Sequence, residues 1–99
     1  MPNPIYTERN KFNLQLRNIQ YFHLNTGVSL LQINEYIKAE TVFNELKSGT
    51  SLYREKSVWN LALIKLKHKD YKGCKQILQT ISQDFEYYDK VQELLRALE

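Results

Sequence analysis

Tyr21-Phe22-His23-Leu24-Asn25-Thr26-Gly27, continued through Tyr36-Ile37-Lys38-Ala39 to Phe43, aligns with a second stretch of the same chain. That stretch is Lys56-Ser57-Val58-Trp59-Asn60-Leu61-Ala62, continued through Tyr71-Lys72-Gly73-Cys74 to Leu78. Gly27/Ala62, Tyr36/Tyr71, Ala39/Cys74 and Phe43/Leu78 all stand 35 positions apart. Small residues match small ones and large match large. A helix–turn–helix repeat of roughly 34 residues has this period. Gly27 and Ala62 are expected where two antiparallel helices approach, with Ala39 and Cys74 as the small residues facing them. Tyr36 and Tyr71 are expected to plug the turn. Phe43 and Leu78 are expected to fill the space towards the next repeat.

Composition agrees with helices. The chain has 99 residues, 42% apolar and 25% charged, which suits one globular domain. It contains 3 glycines and 2 prolines, and both prolines fall within the first four residues. A sandwich or barrel uses many more turn residues than that. The formal net charge of +3 is a weak basic bias. The single cysteine, Cys74, excludes an intramolecular disulfide, and with two histidines it makes no metal-ligand spacing. No apolar run approaches the roughly 20 residues of a membrane span. Met1-Pro2-Asn3-Pro4 lacks the pattern of a signal peptide, so the chain reads either as cytoplasmic or as an excised domain.

Residues 1–10 read as a linker or a disordered N-terminus, and residues 11–99 as an all-α domain. Apolar spacing predicts a first helix from Lys11 to Gln32, with a break near Asn18, and a second from Tyr36 to Lys47. On the second, Ile37, Phe43 and Leu46 are expected to face inward beside Ala39 and Val42. Gly49 suits the C-terminal cap of that helix, and Ser51 the N-cap of the next. The third helix, Leu52 to Lys67, is apolar nearly all round and is expected to be sandwiched between neighbours. Asp70 is a predicted N-cap for a fourth helix, Tyr71 to Ser82, with Cys74, Ile77, Leu78 and Ile81 inward. A fifth covers Tyr87 to Leu98, with Val91, Leu94, Leu95 and Leu98 inward. The repeats run from about 19 to 50 and from about 54 to 86, and the capping helix from about 87 to 98.

The two stretches resemble degenerate tetratricopeptide repeats. Ser51-Leu52-Tyr53-Arg54-Glu55-Lys56-Ser57-Val58-Trp59-Asn60-Leu61-Ala62-Leu63 is the most specific part. With Lys75-Gln76-Ile77-Leu78, Lys90-Val91-Gln92-Glu93-Leu94-Leu95 and Pro2-Asn3-Pro4-Ile5, it resembles the C-terminal domain of Bacteroidetes tetratricopeptide proteins similar to membrane-anchored anti-sigma-like factors. Lys69 stands where the repeat usually has Gly, and Cys74 where it usually has Ala. The resemblance implies a right-handed stack of antiparallel helix pairs, about two repeats plus a C-terminal capping helix. It also implies a fragment of a longer protein on the periplasmic side of a membrane, anchored through an upstream region.

Little in the chain suggests catalysis, and no enzyme activity or cofactor is expected. His23 is read as a packing residue on an apolar face, His68 as a solvated turn residue and Cys74 as an inert buried thiol. Asp84, Glu86 and Asp89 suit the N-terminal end of the last helix rather than a calcium loop. Lys65, Lys67, Lys69, Lys72 and Lys75 crowd one turn and read mainly as a solvated face. Nucleic-acid binding through residues 65–75 is one alternative function, and self-association as a scaffold or homodimer is another. The leading expectation is a non-catalytic protein-interaction module for an unknown protein or peptide, with no small-molecule substrate. In tetratricopeptide stacks the first helix of each pair lines a concave groove. By alignment, Tyr21, Asn25 and Val28 face it from the first repeat, and Lys56, Trp59, Asn60, Leu63 and Lys67 from the second. Leu24, Leu31, Gln32 and Leu66 fall on the same lining. The carboxylate clamp of chaperone-binding relatives is mostly missing, because Leu24 and Val28 stand at two of its positions and only Asn60 matches.

Overall fold

The computed structural model describes residues 19–47 and 53–99. The linker 1–10, the expected helix start at Lys11, the Gly49 cap, and Ser51 and Leu52 lie outside the described residues. Among the described residues the fold is all-α, without strands. Residues 19–32 are helical (α1), followed by α2 (Tyr36–Lys47), α3 (Arg54–Lys67), α4 (Tyr71–Leu78) and α5 (Tyr88–Ala97). None of these helices is long and apolar enough to cross a membrane.

Two apolar cores lie on either side of α3. Leu61 and Ile64 join Leu24, Ala39, Phe43 and Leu46 in one. Val58 and Ala62 join Cys74, Leu78, Ile81, Phe85 and Val91 in the other. This double burial is the physical reason α3 carries apolar residues on two faces, while Lys56, Asn60 and Lys67 leave it a polar ridge and it is not apolar nearly all round.

The 35-residue offset recurs in the backbone. α1 ends with the Asn34 N–H donating to Leu31 O at 3.0 Å and the Glu35 N–H to Leu30 O at 2.8 Å. α3 ends with the Lys69 N–H donating to Leu66 O at 3.0 Å and the Asp70 N–H to Lys65 O at 2.9 Å. Each is a Schellman closure, which requires a left-handed residue after the helix. Asn34 and Lys69 supply it, both at φ 63°. Helix resumes one residue later, with the Ala39 and Cys74 N–H groups donating to Glu35 O and Asp70 O, each at 3.0 Å. Asp70 caps α4 as its sequence position suggests, its Oδ1 accepting from the Gly73 N–H at 2.9 Å.

The helix pairs close around the small residues. A Cβ added to Gly27 would lie 2.6 Å from Phe43 Cε1, so only glycine allows α1 this near the ring. Ala39, Ala62 and Cys74 are fully buried.

Several expectations need correction. Ile37 does not face inward; it is 84% exposed. His23 is exposed and does not pack, although apolar residues flank it. Tyr71 is exposed, whereas Tyr36 does close its turn, donating from its hydroxyl to Asn34 Oδ1 at 2.8 Å. α4 stops at Leu78 and not at Ser82, and the chain crosses to α5 through turns. Phe85, in a polar run, is buried and was not expected in the core.

Candidate functional site

α1 and α3 run side by side in the same direction. Near their starts the rings of Tyr21 and Tyr53 lie 5.9 Å apart. Near their ends Leu31 shares an open cleft of about 320 Å³ with Leu63, Ile64 and Lys67, and Asn34 and Tyr36 complete its wall. Residues three and four apart on a helix share a face, so Lys56, Asn60, Leu63 and Lys67 form one ridge of α3. Tyr21, Asn25, Val28 and Gln32 form the matching ridge of α1.

The lining is mixed. Tyr21, Asn25 and Lys67 are exposed, and Val28, Lys56, Trp59, Asn60 and Leu63 are half-buried. Val28 packs against the core that holds Leu24 and Phe43. The Asn60 side-chain amide donates to Lys56 O of its own helix at 2.8 Å. Leu24 is buried and contributes to the core instead of the lining.

Lys56 and Trp59 turn towards the C-terminal segment. Lys56 Nζ lies 2.9 Å from Glu86 Oε1. The hydrogen bond to Glu86 holds the Lys56 ammonium above its ordinary pKa, outweighing the opposing desolvation. The Trp59 ring stands 6.4 Å from that of Phe85. One turn earlier, Glu55 Oε1 accepts from the Ser82 N–H at 2.9 Å. The first turns of α3 therefore tie down the connection between α4 and α5. A lone aromatic in Ser82-Gln83-Asp84-Phe85-Glu86 was the available signal for this, because a polar connection has no reason to carry Phe unless it is buried.

No family model, curated protein or solved structure matches the chain. Burial, with Asp70 nearby, pushes the Cys74 thiol above its ordinary pKa, which disfavours the reactive thiolate. His68 Nδ1 lies 2.9 Å from Ile64 O, and its ring meets Tyr36 edge-on at 4.9 Å, so this turn histidine packs as well as meeting solvent. Lys65 stands 3.8 Å from Glu40, while Lys67, Lys69, Lys72 and Lys75 are exposed. Among the described residues no group of three His, Cys, Asp or Glu is placed to hold a metal ion.

Proposed function

We propose that the chain is a tetratricopeptide-like interaction module that binds a peptide or protein segment along the shared face of α1 and α3. The observation that carries this reading is the cleft between the ends of the two helices. Leu31, Leu63 and Ile64 give it an apolar floor, and Asn34, Tyr36 and Lys67 give it polar edges. Such a site suits one buried apolar side chain, held in place by polar contacts to the peptide around it. Paired Schellman turns 35 residues apart support the repeat architecture, because a generic bundle has no reason to repeat its turns bond for bond.

Selection from a displayed random-peptide library tests the proposal. Each recovered peptide is titrated against wild type and against Lys67→Glu, which alters an exposed residue and leaves the core intact. Selected peptides are expected to bind the variant at least tenfold more weakly. Equal binding to both proteins would move the recognition surface away from this cleft.

A further inference from the structure

α3 carries a second cleft on the side away from the groove. Arg54, Val58 and Leu61 form a ridge about half a turn round the helix from Lys56, Asn60, Leu63 and Lys67. With the ends of α2 and α4, that ridge encloses an open cleft of about 280 Å³. Val58, Leu61 and Ile77 make its apolar floor, and Lys47, Arg54 and Gln76 stand at its rim. The two cations come from different helices, and both are exposed. Among the described residues neither has a carboxylate within ion-pair distance, whereas Lys56 and Lys65 pair with Glu86 and Glu40. Neither helix stability nor the repeat accounts for both. Arg54 opens α3, where the helix dipole disfavours a cation. At the 35-residue offset the counterpart of Arg54 is Ile19, and that of Lys47 is Ser82.

We propose that this cleft docks an acidic segment of a partner protein, with one apolar side chain on the floor and a neighbouring carboxylate held by Lys47 and Arg54. Charge complementarity decides the occupant. Two cations without partners at the edge of an apolar floor attract an anion, and the guanidinium fork of Arg54 matches a carboxylate. The volume lies just under the roughly 300 Å³ at which sites for whole small molecules begin. It suits a single side chain of a segment that continues across the surface. The Gln76 amide makes no hydrogen bond among the described residues and is available to the backbone of that segment. Glu55 sets the direction. It lines an adjoining cleft of about 120 Å³ that shares Arg54 and Val58. Its Oε1 accepts from the Ser82 N–H, and its charge repels a second carboxylate on that side. The acidic residue of the segment therefore lies at the Lys47 end. This cleft and the groove occupy opposite sides of α3, so the inference does not depend on the peptide-binding reading of the groove.

An array of acetylated and amidated hexapeptides tests the docking. Each carries one Leu, Ile or Phe beside two Asp or Glu residues, and matched peptides carry Asn or Gln, Lys, or phosphoserine in place of the acids. Wild type is expected to bind the best acidic peptides at least tenfold more tightly than their amide counterparts. Arg54→Glu and Lys47→Glu are each expected to weaken that binding at least tenfold with unchanged helical circular dichroism. Arg54→Glu should also gain affinity for the lysine peptides, and Lys67→Glu, in the groove, should leave the acidic peptides bound as before. Equal binding of acidic and amide peptides, or binding of neither, would overturn the proposal. So would binding insensitive to both cation variants, and sensitivity to Lys67→Glu alone would move the acidic segment to the groove. A tenfold preference for the phosphoserine peptides would overturn the assignment to a carboxylate.

Discussion

Gly27 and Phe43 stand to each other as Ala62 and Leu78 do 35 residues later, the smaller residue in each pair matched to the bulk of the larger. A methyl group on Gly27 would meet Phe43 Cε1 at 2.6 Å and Cζ at 2.7 Å, and the ring is fully buried with nowhere to go. Gly27→Ala is therefore expected to lower stability by about 1–3 kcal/mol, despite the better helix propensity of alanine. Phe43→Leu alone leaves a cavity and also destabilises. The double substitution reproduces the second pair and should cost clearly less than the sum of the two. A denaturant-based double-mutant cycle reads the coupling.

Lys69 holds φ 63° with an ordinary side chain, a conformation that glycine adopts without strain. Lys69→Gly is expected to stabilise the fold by about 0.5–1 kcal/mol, because relief of strain exceeds the added freedom of the unfolded chain. Asn34→Gly should gain less. Asparagine tolerates the left-handed region better, and its Oδ1 accepts the Tyr36 hydroxyl hydrogen bond. Thermal melts of the two variants side by side give the comparison.

Ser57 Oγ is buried without a hydrogen-bond partner. Ser57→Ala removes that orphaned hydroxyl at no cost in packing volume and improves helix propensity. A gain of about 1 kcal/mol in urea denaturation is expected.

The Lys56–Glu86 pair has a predictable pH signature. The folded state raises the Lys56 pKa, so the stabilisation is fully present below the unfolded value of 10.5 and is lost as pH rises through the folded value. The two side chains are 40% and 52% exposed, so solvent screening limits the effect to below about 1 kcal/mol. Glu86→Gln should be slightly less stable than wild type between neutral pH and pH 9. That difference should begin to shrink above about pH 10.5, close only once the pH has passed the raised folded value, and shrink in molar salt. Urea midpoints of both proteins across this range measure it.

Deleting residues 84–99 removes Phe85 and Val91 from the core that holds Leu78 and Ile81. The truncated chain is expected to expose those residues, together with Ile77, and to aggregate. Light scattering and melting cooperativity report the outcome, and a monomeric truncation that melts cooperatively would contradict it.

The helical class was legible because period, turn residues and small-residue matches all agreed. The bounds of α2 came from Asn34-Glu35 at one end, and Asp70 marked the start of α4 by its capping chemistry. Ile37 misled because hydropathy reports what a residue prefers and says nothing about which neighbours exist to cover it. His23 misled because apolar flanks do not say whether a neighbour reaches a given turn: it is exposed, whereas Gly27, one turn later, packs against Phe43. On the candidate site, alignment alone placed Lys56 and Trp59 on the lining. Their ties to Glu86 and Phe85 depend on where the chain goes after α4, and no local pattern records that. Leu24 shows the same limit, because one helical position separates lining from core.

The two cores meet through α3 and Ile77, and their other members are not shared. Opening of α1 and release of α5 are therefore separable events, each disrupting one core while the other stays packed. Only loss of α3 ends both together. Backbone amides of α3 should thus exchange with solvent at the rate of global unfolding, while those of the outer helices follow cheaper, local openings. A segment held across α1 and α3 would slow exchange in the first helix pair and leave the α5 end as free to open as before. One half of the molecule would stiffen while the other kept its own clock.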